Sequence, residues 1–355
     1  MTSASKSTSN DTTGTPSIGY WAAHEQYSME DLLSFVTEAE KGGFGSAMTS
    51  DHFHPWWHSN AYGNFSWIWL ALAAERTKKM HFVTGVTAPI YRYHPAIIAQ
   101  AFASLDVLFP GRVSLGLGTG EAMNELPLGF EWPGARVRLA KTKEALDIIR
   151  LLWQKPGDNS SYKDGFVKYN GEYFRISDAR LYTPPVGNIP IYMAAAGPES
   201  TKVAAKFSDG LITYLNLEQS NKILTLFDQT ARRQGRDTSK LQKAAEFKLS
   251  YSEDYDKALQ SAAVWRATLM KDVFNSKISD PRKLESKAKT EVSDKKVAEA
   301  IRIFTSIEDC IRTIEDYFTA GFTKVYVHSS SPNELEFVRA FCNKVLGYFR
   351  KQNGS

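Results

Sequence analysis

Short apolar runs alternate along this chain with longer stretches whose apolar residues recur at helical spacing. The runs at residues 18–21, 46–49, 80–87, 112–117, 189–195, 210–214, 245–251 and 324–329 predict eight strands. They are apolar nearly throughout rather than alternating, the pattern of strands covered on both faces. Between them, residues 29–41 place Leu32, Leu33, Phe35, Val36 and Ala39 on one helical face, and Gly42-Gly43 stops the helix. Further helices are predicted at 67–77, at 95–108 with Pro95 in the first turn, and at 138–153, 198–207, 220–234, 254–270 and 333–349. Strand and helix in strict alternation predict the α/β class and a (β/α)₈ TIM barrel.

Two stretches break the repeat and read as insertions, around 154–186 and 271–296. The first contains an alternating segment, 163–176, with Asn170-Gly171 as a hairpin signal. The second is polar and lysine-rich. Residues 1–16, rich in Ser and Thr, predict a disordered tail, and residues 17–355 a single barrel domain.

Composition narrows the classes. Of 355 residues, 43% are hydrophobic and 23% charged, and the net charge of +4 is too modest to argue for nucleic acid. Two cysteines, Cys310 and Cys342, make no disulfide framework. With no apolar stretch of spanning length and no secretory h-region, the expectation is a cytoplasmic protein with no membrane partner.

In such barrels chemistry sits at the carboxyl ends of the strands. Those ends carry His24-Glu25, Asp51-His52, Gly85-Val86, Gly118 to Glu121, Ala194 to Gly197, Thr213-Tyr214 and Tyr251. The stretch 46–57 stands out: a short strand stops at Asp51-His52 and opens into Phe53, His54, Pro55, Trp56 and Trp57. His52 titrates near neutrality, and a neighbouring carboxylate tunes it. His52, Glu25 and Glu121 could act as acid and base on opposite sides of one pocket. Capping by Asp51-His52 and core packing by the tryptophans is the structural alternative. Gly118, Gly120 and Gly197 admit backbone N–H groups to a ligand, and Gly197 precedes a helix, a common phosphate site. The GLGTGE run lacks the dinucleotide spacing, and no G-x-S-x-G elbow is present. His52, His54 and Asp51 are the one candidate metal set, and no metal is expected.

Five longer stretches carry a resemblance: SDHFHPWWH (50–58), RYHPAIIAQAFASL (92–105), PGRVSLGLGTGEAMNE (110–125), NGEYF (170–174) and IPIYMAAAGP (189–198). Together the chain resembles the coenzyme F420-dependent branch of the luciferase-like barrel superfamily. It is similar to F420-dependent glucose-6-phosphate dehydrogenases and F420-dependent secondary alcohol dehydrogenases. The resemblance implies F420 as cofactor, hydride transfer to its C5, and a homodimer. It implies that Asp51 binds the deazaflavin, that His52 takes the hydroxyl proton, and that Glu121 manages the proton at N1. Trp56 would stabilise the intermediate beside His52. Gly85-Val86 matches a bulge with a non-proline cis peptide. Thr119, Gly120, Met123 and Asn124 would line the cofactor, and Ala196, Gly197, Glu199 and Ser200 would hold its phosphate. Glu25, Trp265 and Tyr214 would meet the substrate.

The sequence departs from the sugar-phosphate enzymes where they grip phosphate. The matched positions are Leu217, Asn275, Ala300 and Tyr214, none of them a cation. Ala88 replaces a threonine near the cofactor, and Ala196 replaces the first glycine of the phosphate loop, which requires a negative φ there. The reading that follows is an F420-dependent dehydrogenase of a small, neutral alcohol. The alternatives are a sugar-phosphate dehydrogenase, with Lys271, Lys277 or Arg282 rebuilding the grip, an FMN-dependent monooxygenase, and a non-catalytic cofactor-binding barrel.

Overall fold

The computed structural model describes residues 16–154 and 164–353. The expected tail, but for Pro16, and residues 155–163 of the first insertion lie outside the described residues. In chain order the strands are β1 (Ser17–Ala22), β2 (Ser46–Thr49), β3 (His81–Thr84), β4 (Val113–Leu117), β5 (Val167–Asn170), β6 (Arg175–Ala179), β7 (Ile191–Ala194), β8 (Gly210–Thr213), β9 (Gln242–Tyr251), β10 (Arg302–Phe304) and β11 (Lys324–Ser329). The order β9-β11-β1-β2-β3-β4-β7-β8 closes through a β8–β9 pairing, and every pairing in the ring is parallel. These are the eight strands that the apolar runs predicted, in a closed (β/α)₈ barrel.

The ring works because each strand sorts its residues by side. Ala47, Phe82, Ala245, Val325 and Val327 face outward into the cluster shared with the helices. Met48, Val83, Ala244 and Tyr326 face inward, as the two-residue period of a strand requires. The outer cluster includes Trp69, Leu70, Phe102, Phe227 and Phe341, all fully buried. The inner cluster continues upward into Trp56, Trp57 and Trp265, then into Leu284, Ala288 and Val292 of the second insertion. That insertion, helices Pro281–Glu291 and Asp294–Ala300, therefore packs on the site end of the barrel.

Several elements differ from expectation. β9 is ten residues long and begins at Gln242. Its first half pairs with β8 and its last three residues with β10, a short strand the pattern did not mark. The helix expected over 254–270 is α-helical only through Ala262, and Ala263–Leu269 tightens to 3₁₀. There Trp265 is fixed by tertiary contacts: its ring meets Trp57 and its Nε1 donates to Gln26 Oε1 at 3.1 Å. Helix Cys310–Thr319 was also unmarked. The hairpin of β5 and β6 forms, but residues 171–174 lie between the strands, so Asn170-Gly171 is no two-residue turn. Glu144 accepts the N–H groups of Glu172, Tyr173 and Phe174 and docks that loop on helix Ala135–Trp153. No helix among the described residues is long and apolar enough to cross a membrane.

Candidate active site

A cavity of about 1870 Å³ opens at the carboxyl ends of the strands. Drug-sized pockets are roughly 300–1,000 Å³, so this one has room for a large cofactor and a substrate together. His52, Trp56, Gly85, Val86, Thr119, Gly120, Glu121, Ala196, Gly197, Glu199, Ser200, Tyr214 and Trp265 all line it. Residues far apart in sequence meet there because the ring brings the ends of β2, β3, β4, β7 and β8 side by side.

His52 is the centre. Its Nδ1–H donates to Glu25 Oε1 in a short contact, and its Nε2 lies 3.8 Å from Glu121 Oε2. Trp56 meets the imidazole edge-on at 5.8 Å. Glu25 is buried, and Ser50 Oγ donates to its Oε2 at 2.8 Å. Burial would push the Glu25 carboxyl up, but His52, with help from Ser50, holds it down at about 2. Burial would lower the His52 pKa, but Glu25 outweighs it and Glu121 adds to the rise, so His52 sits above its ordinary value. His24, beside the pair, is driven down to about 4 by burial and stays neutral.

Four of the expected site residues stand outside the cavity lining. Glu25, expected at the substrate, does not line the cavity; it stands behind His52 and orients it. Asp51 is likewise withdrawn. Its carboxylate accepts from Thr87 Oγ1 at 2.7 Å, Arg92 Nη2 at 3.0 Å and Tyr93 OH at 3.3 Å, and it is buried away from the cavity. These donors leave little capacity for a ligand, so Asp51 acts on the strand end. Met123 and Asn124 are also buried outside the cavity lining. Asn124 Nδ2 donates to Glu121 Oε2 at 2.9 Å and its Oδ1 accepts Phe53 N–H at 2.7 Å, so it sets the positions of two loops.

The opposite side of the cavity is built from backbone. The Gly85–Val86 peptide is cis. A side chain at Gly118 would reach within 2.3 Å of Val86 Cγ2, so glycine is required for that close approach. Gly120 has φ +69°, the left-handed region where glycine carries no penalty. Ala196 is not among the non-glycine residues with positive φ, so an alanine fits this loop without strain. Gly197 leads into helix Pro198–Phe207, whose N-terminus faces the cavity with Ser200 hydrogen-bonded to the Gly197 carbonyl.

Lys271, Lys277 and Arg282 do not line the cavity, and Arg282 is held by Asp280 at 2.9 Å. The cavity nevertheless has cations that the four matched positions did not reveal: Arg136, Arg138, Lys248, Lys296, Arg302 and Arg312. Arg138 is engaged, donating to Asn275 Oδ1 at 3.1 Å and Pro133 O at 2.7 Å. Sequence reasoning also missed Glu246 and His328 in the lining. The two-residue period of β9 and β11 was the signal that could have turned them inward.

The sequence profile of the luciferase-like monooxygenase family matches residues 11–324. The F420-dependent glucose-6-phosphate dehydrogenase of Microbacterium testaceum (strain StLB037) is 34% identical, over 94% of this chain and 98% of its own. F420-dependent glucose-6-phosphate dehydrogenase 2 of Rhodococcus jostii (strain RHA1) is 33% identical, over 91% of this chain and 95% of its own. Among solved structures, an F420-dependent secondary alcohol dehydrogenase in complex with an F420-acetone adduct superposes with a TM-score of 0.87 at 36% identity, covering 93% of this chain and 98% of that one. With most of its length matched by the family profile and nearly all of it by these relatives, the chain belongs to the luciferase-like monooxygenase family.

Proposed function

We propose that this protein is an F420-dependent dehydrogenase acting on the CH–OH group of a small, uncharged alcohol. The observation that carries the reading is the His52 arrangement: an imidazole backed by a buried carboxylate, flanked by Trp56, with Nε2 turned to the cavity side where Glu121 stands. Coenzyme F420, when bound, supplies the hydride acceptor. The residues present fit it. Gly85, Gly120, Ala196 and Gly197 line the cavity with little or no side chain, which leaves room for a ring system. The N-terminus of helix Pro198–Phe207 offers N–H groups to a phosphate. Thr119, Ala196, Gly197, Glu199 and Ser200 would complete that side of the cavity.

His52 takes the hydroxyl proton as general base, and Glu25 stabilises the imidazolium that results. Trp56 closes one side of the reacting centre and excludes water. Glu121 is the second proton group, on the cofactor side. Trp265 and Tyr214 border the alcohol. Asp51 supports the site by fixing the end of β2 through Arg92, Thr87 and Tyr93.

A sugar phosphate is the second reading. Lys296, Arg302 and Arg312 line the cavity, alongside Glu299, Asp309 and Asp316, and favour it, as does the similarity to glucose-6-phosphate dehydrogenases. Against it, five large aromatic side chains, Trp21, Trp56, Tyr214, Trp265 and Phe274, line the cavity. The test is a panel of propan-2-ol, glucose and glucose-6-phosphate with F420, read by loss of the oxidised cofactor's absorbance. Reduction by a neutral alcohol is expected, with a higher kcat/KM than for glucose-6-phosphate. A higher value for glucose-6-phosphate than for every neutral alcohol would reverse the choice. Turnover with FMN and none with F420 would sink both.

A further inference from the structure

Across the ring from β3, the barrel wall carries a polar cluster that the chemistry above does not use. Glu246 and Lys248 are two residues apart on β9 and point inward, as Ala244 does. His328 points inward from β11. Its Nδ1–H donates to Glu246 Oε1 at 2.5 Å, and Lys248 Nζ lies 3.6 Å from the same oxygen. The His328 ring stacks on Trp21 at 5.1 Å and meets Trp265 edge-on at 4.5 Å, while Lys248 Nζ lies 5.1 Å from the Trp265 ring centre. All five residues line the cavity.

The charge state of the cluster follows from its surroundings. Burial lowers the His328 pKa, so its ring is neutral and donates from Nδ1. Burial would raise Glu246, but Lys248 and His328 hold it below its ordinary range. The result is a carboxylate and an ammonium facing the cavity between two tryptophans. His328 Nε2 is sealed from solvent without a partner, so the groups that meet a ligand are Glu246 and Lys248. Keeping a charge pair partly out of water is costly unless more hydrogen bonds satisfy it. A monohydric alcohol has one hydroxyl, which His52 takes, and nothing remains for this wall. A polyhydroxylated substrate supplies what is missing. Its O–H groups donate to the carboxylate, its oxygens accept from the ammonium, and its C–H faces lie on the tryptophan rings.

We propose that Glu246 and Lys248 bind substrate hydroxyls remote from the carbon that is oxidised, so that the alcohol is an uncharged, sugar-like polyol. The inference rests on the dehydrogenase reading and names its substrate class. His328 acts through Glu246 as a positioning residue.

The experiment compares glucose, propan-2-ol and glucose-6-phosphate, with F420, in the wild type and in the Glu246→Gln and Lys248→Met variants. Wild type is expected to favour glucose over propan-2-ol in kcat/KM. Each variant should lower that preference by about tenfold or more, chiefly through KM, the loss expected for one charge-assisted hydrogen bond. Glucose titrated into the protein without cofactor should quench tryptophan fluorescence in wild type and not in the variants. Retained F420 binding, followed by cofactor fluorescence, shows that the variants are folded. An unmoved glucose-to-propan-2-ol ratio overturns the inference, as does a wild type that turns over propan-2-ol but not glucose. A preference for glucose-6-phosphate over glucose of about tenfold, the mark of a charge-assisted contact, overturns its uncharged part. If no alcohol reduces F420 at all, the dehydrogenase reading falls first.

Discussion

At the scale of single residues, the site turns on the charge of His52. A general base must be deprotonated to act, and the carboxylates of Glu25 and Glu121 raise the His52 pKa, against burial and Arg92, which lower it. Alcohol oxidation is therefore expected to rise with pH through a limb above the ordinary histidine value of about 6.5. Glu25→Gln removes the larger raising influence, so that limb should move to lower pH. A limb that stays in place would mean that another group sets the profile. His52→Ala should cut turnover by a factor on the order of 10² or more, with little change in F420 affinity measured by cofactor fluorescence. Glu121→Gln keeps the shape of the side chain but can no longer accept or donate a proton, so turnover should fall while F420 affinity changes little.

At the scale of elements, the second insertion holds the aromatic loop over the cavity. Glu285, on helix Pro281–Glu291, accepts the N–H groups of His58 and Ser59 at 2.9 Å each and the Ser59 hydroxyl. Burial would push the Glu285 carboxyl up, but Lys289 and these donors hold it down at about 2. One carboxylate thus ties residues 58–59 to a helix more than 200 residues away in sequence. Glu285→Ala leaves both N–H groups without that acceptor. Hydrogen exchange at His58 and Ser59 should speed up, and stability should fall by about 1–3 kcal/mol. Unchanged exchange in the variant would show that the loop is held by Trp56 and Trp57 alone.

At the scale of the whole molecule, the barrel exposes a stripe of large apolar side chains. Ile68 and Leu72 project from helix Ser66–Arg76, and Ile97 and Leu108 from the neighbouring helix Pro95–Leu108; their exposures run from 45% to 66%. Trp67 and Phe102 pack these helices together beneath the stripe. Exposed apolar side chains of this size suit an interface, and a two-fold pairing of like faces would cover them. The homodimer expected from the resemblance is proposed to form here. Light scattering should give about twice the 39.8 kDa chain mass. Ile68→Glu with Leu72→Glu should return the mass to that of one chain. A monomeric wild type would remove the stripe from consideration.

The sequence by itself determined the barrel. Eight apolar runs alternating with helical stretches fit the (β/α)₈ repeat, whose strands are covered on both faces. It also determined which residues fall where the cavity opens, since His52, Trp56, Gly85, Gly120, Glu121 and Gly197 follow the strand ends in chain order. Only the tertiary structure decided which atoms face the cavity. Glu25 and Asp51 looked like ligands' partners, but neighbours from other strands claimed their oxygens: His52 and Ser50 for one, Thr87, Arg92 and Tyr93 for the other. Glu246, Lys248 and His328 read as ordinary strand residues until β9 and β11 lay side by side and turned them to one interior wall. Hydrophobic periodicity encodes inside and outside for apolar residues because burial itself fixes their place. For a buried charge, place is fixed by its partners, and the partners are distant in sequence.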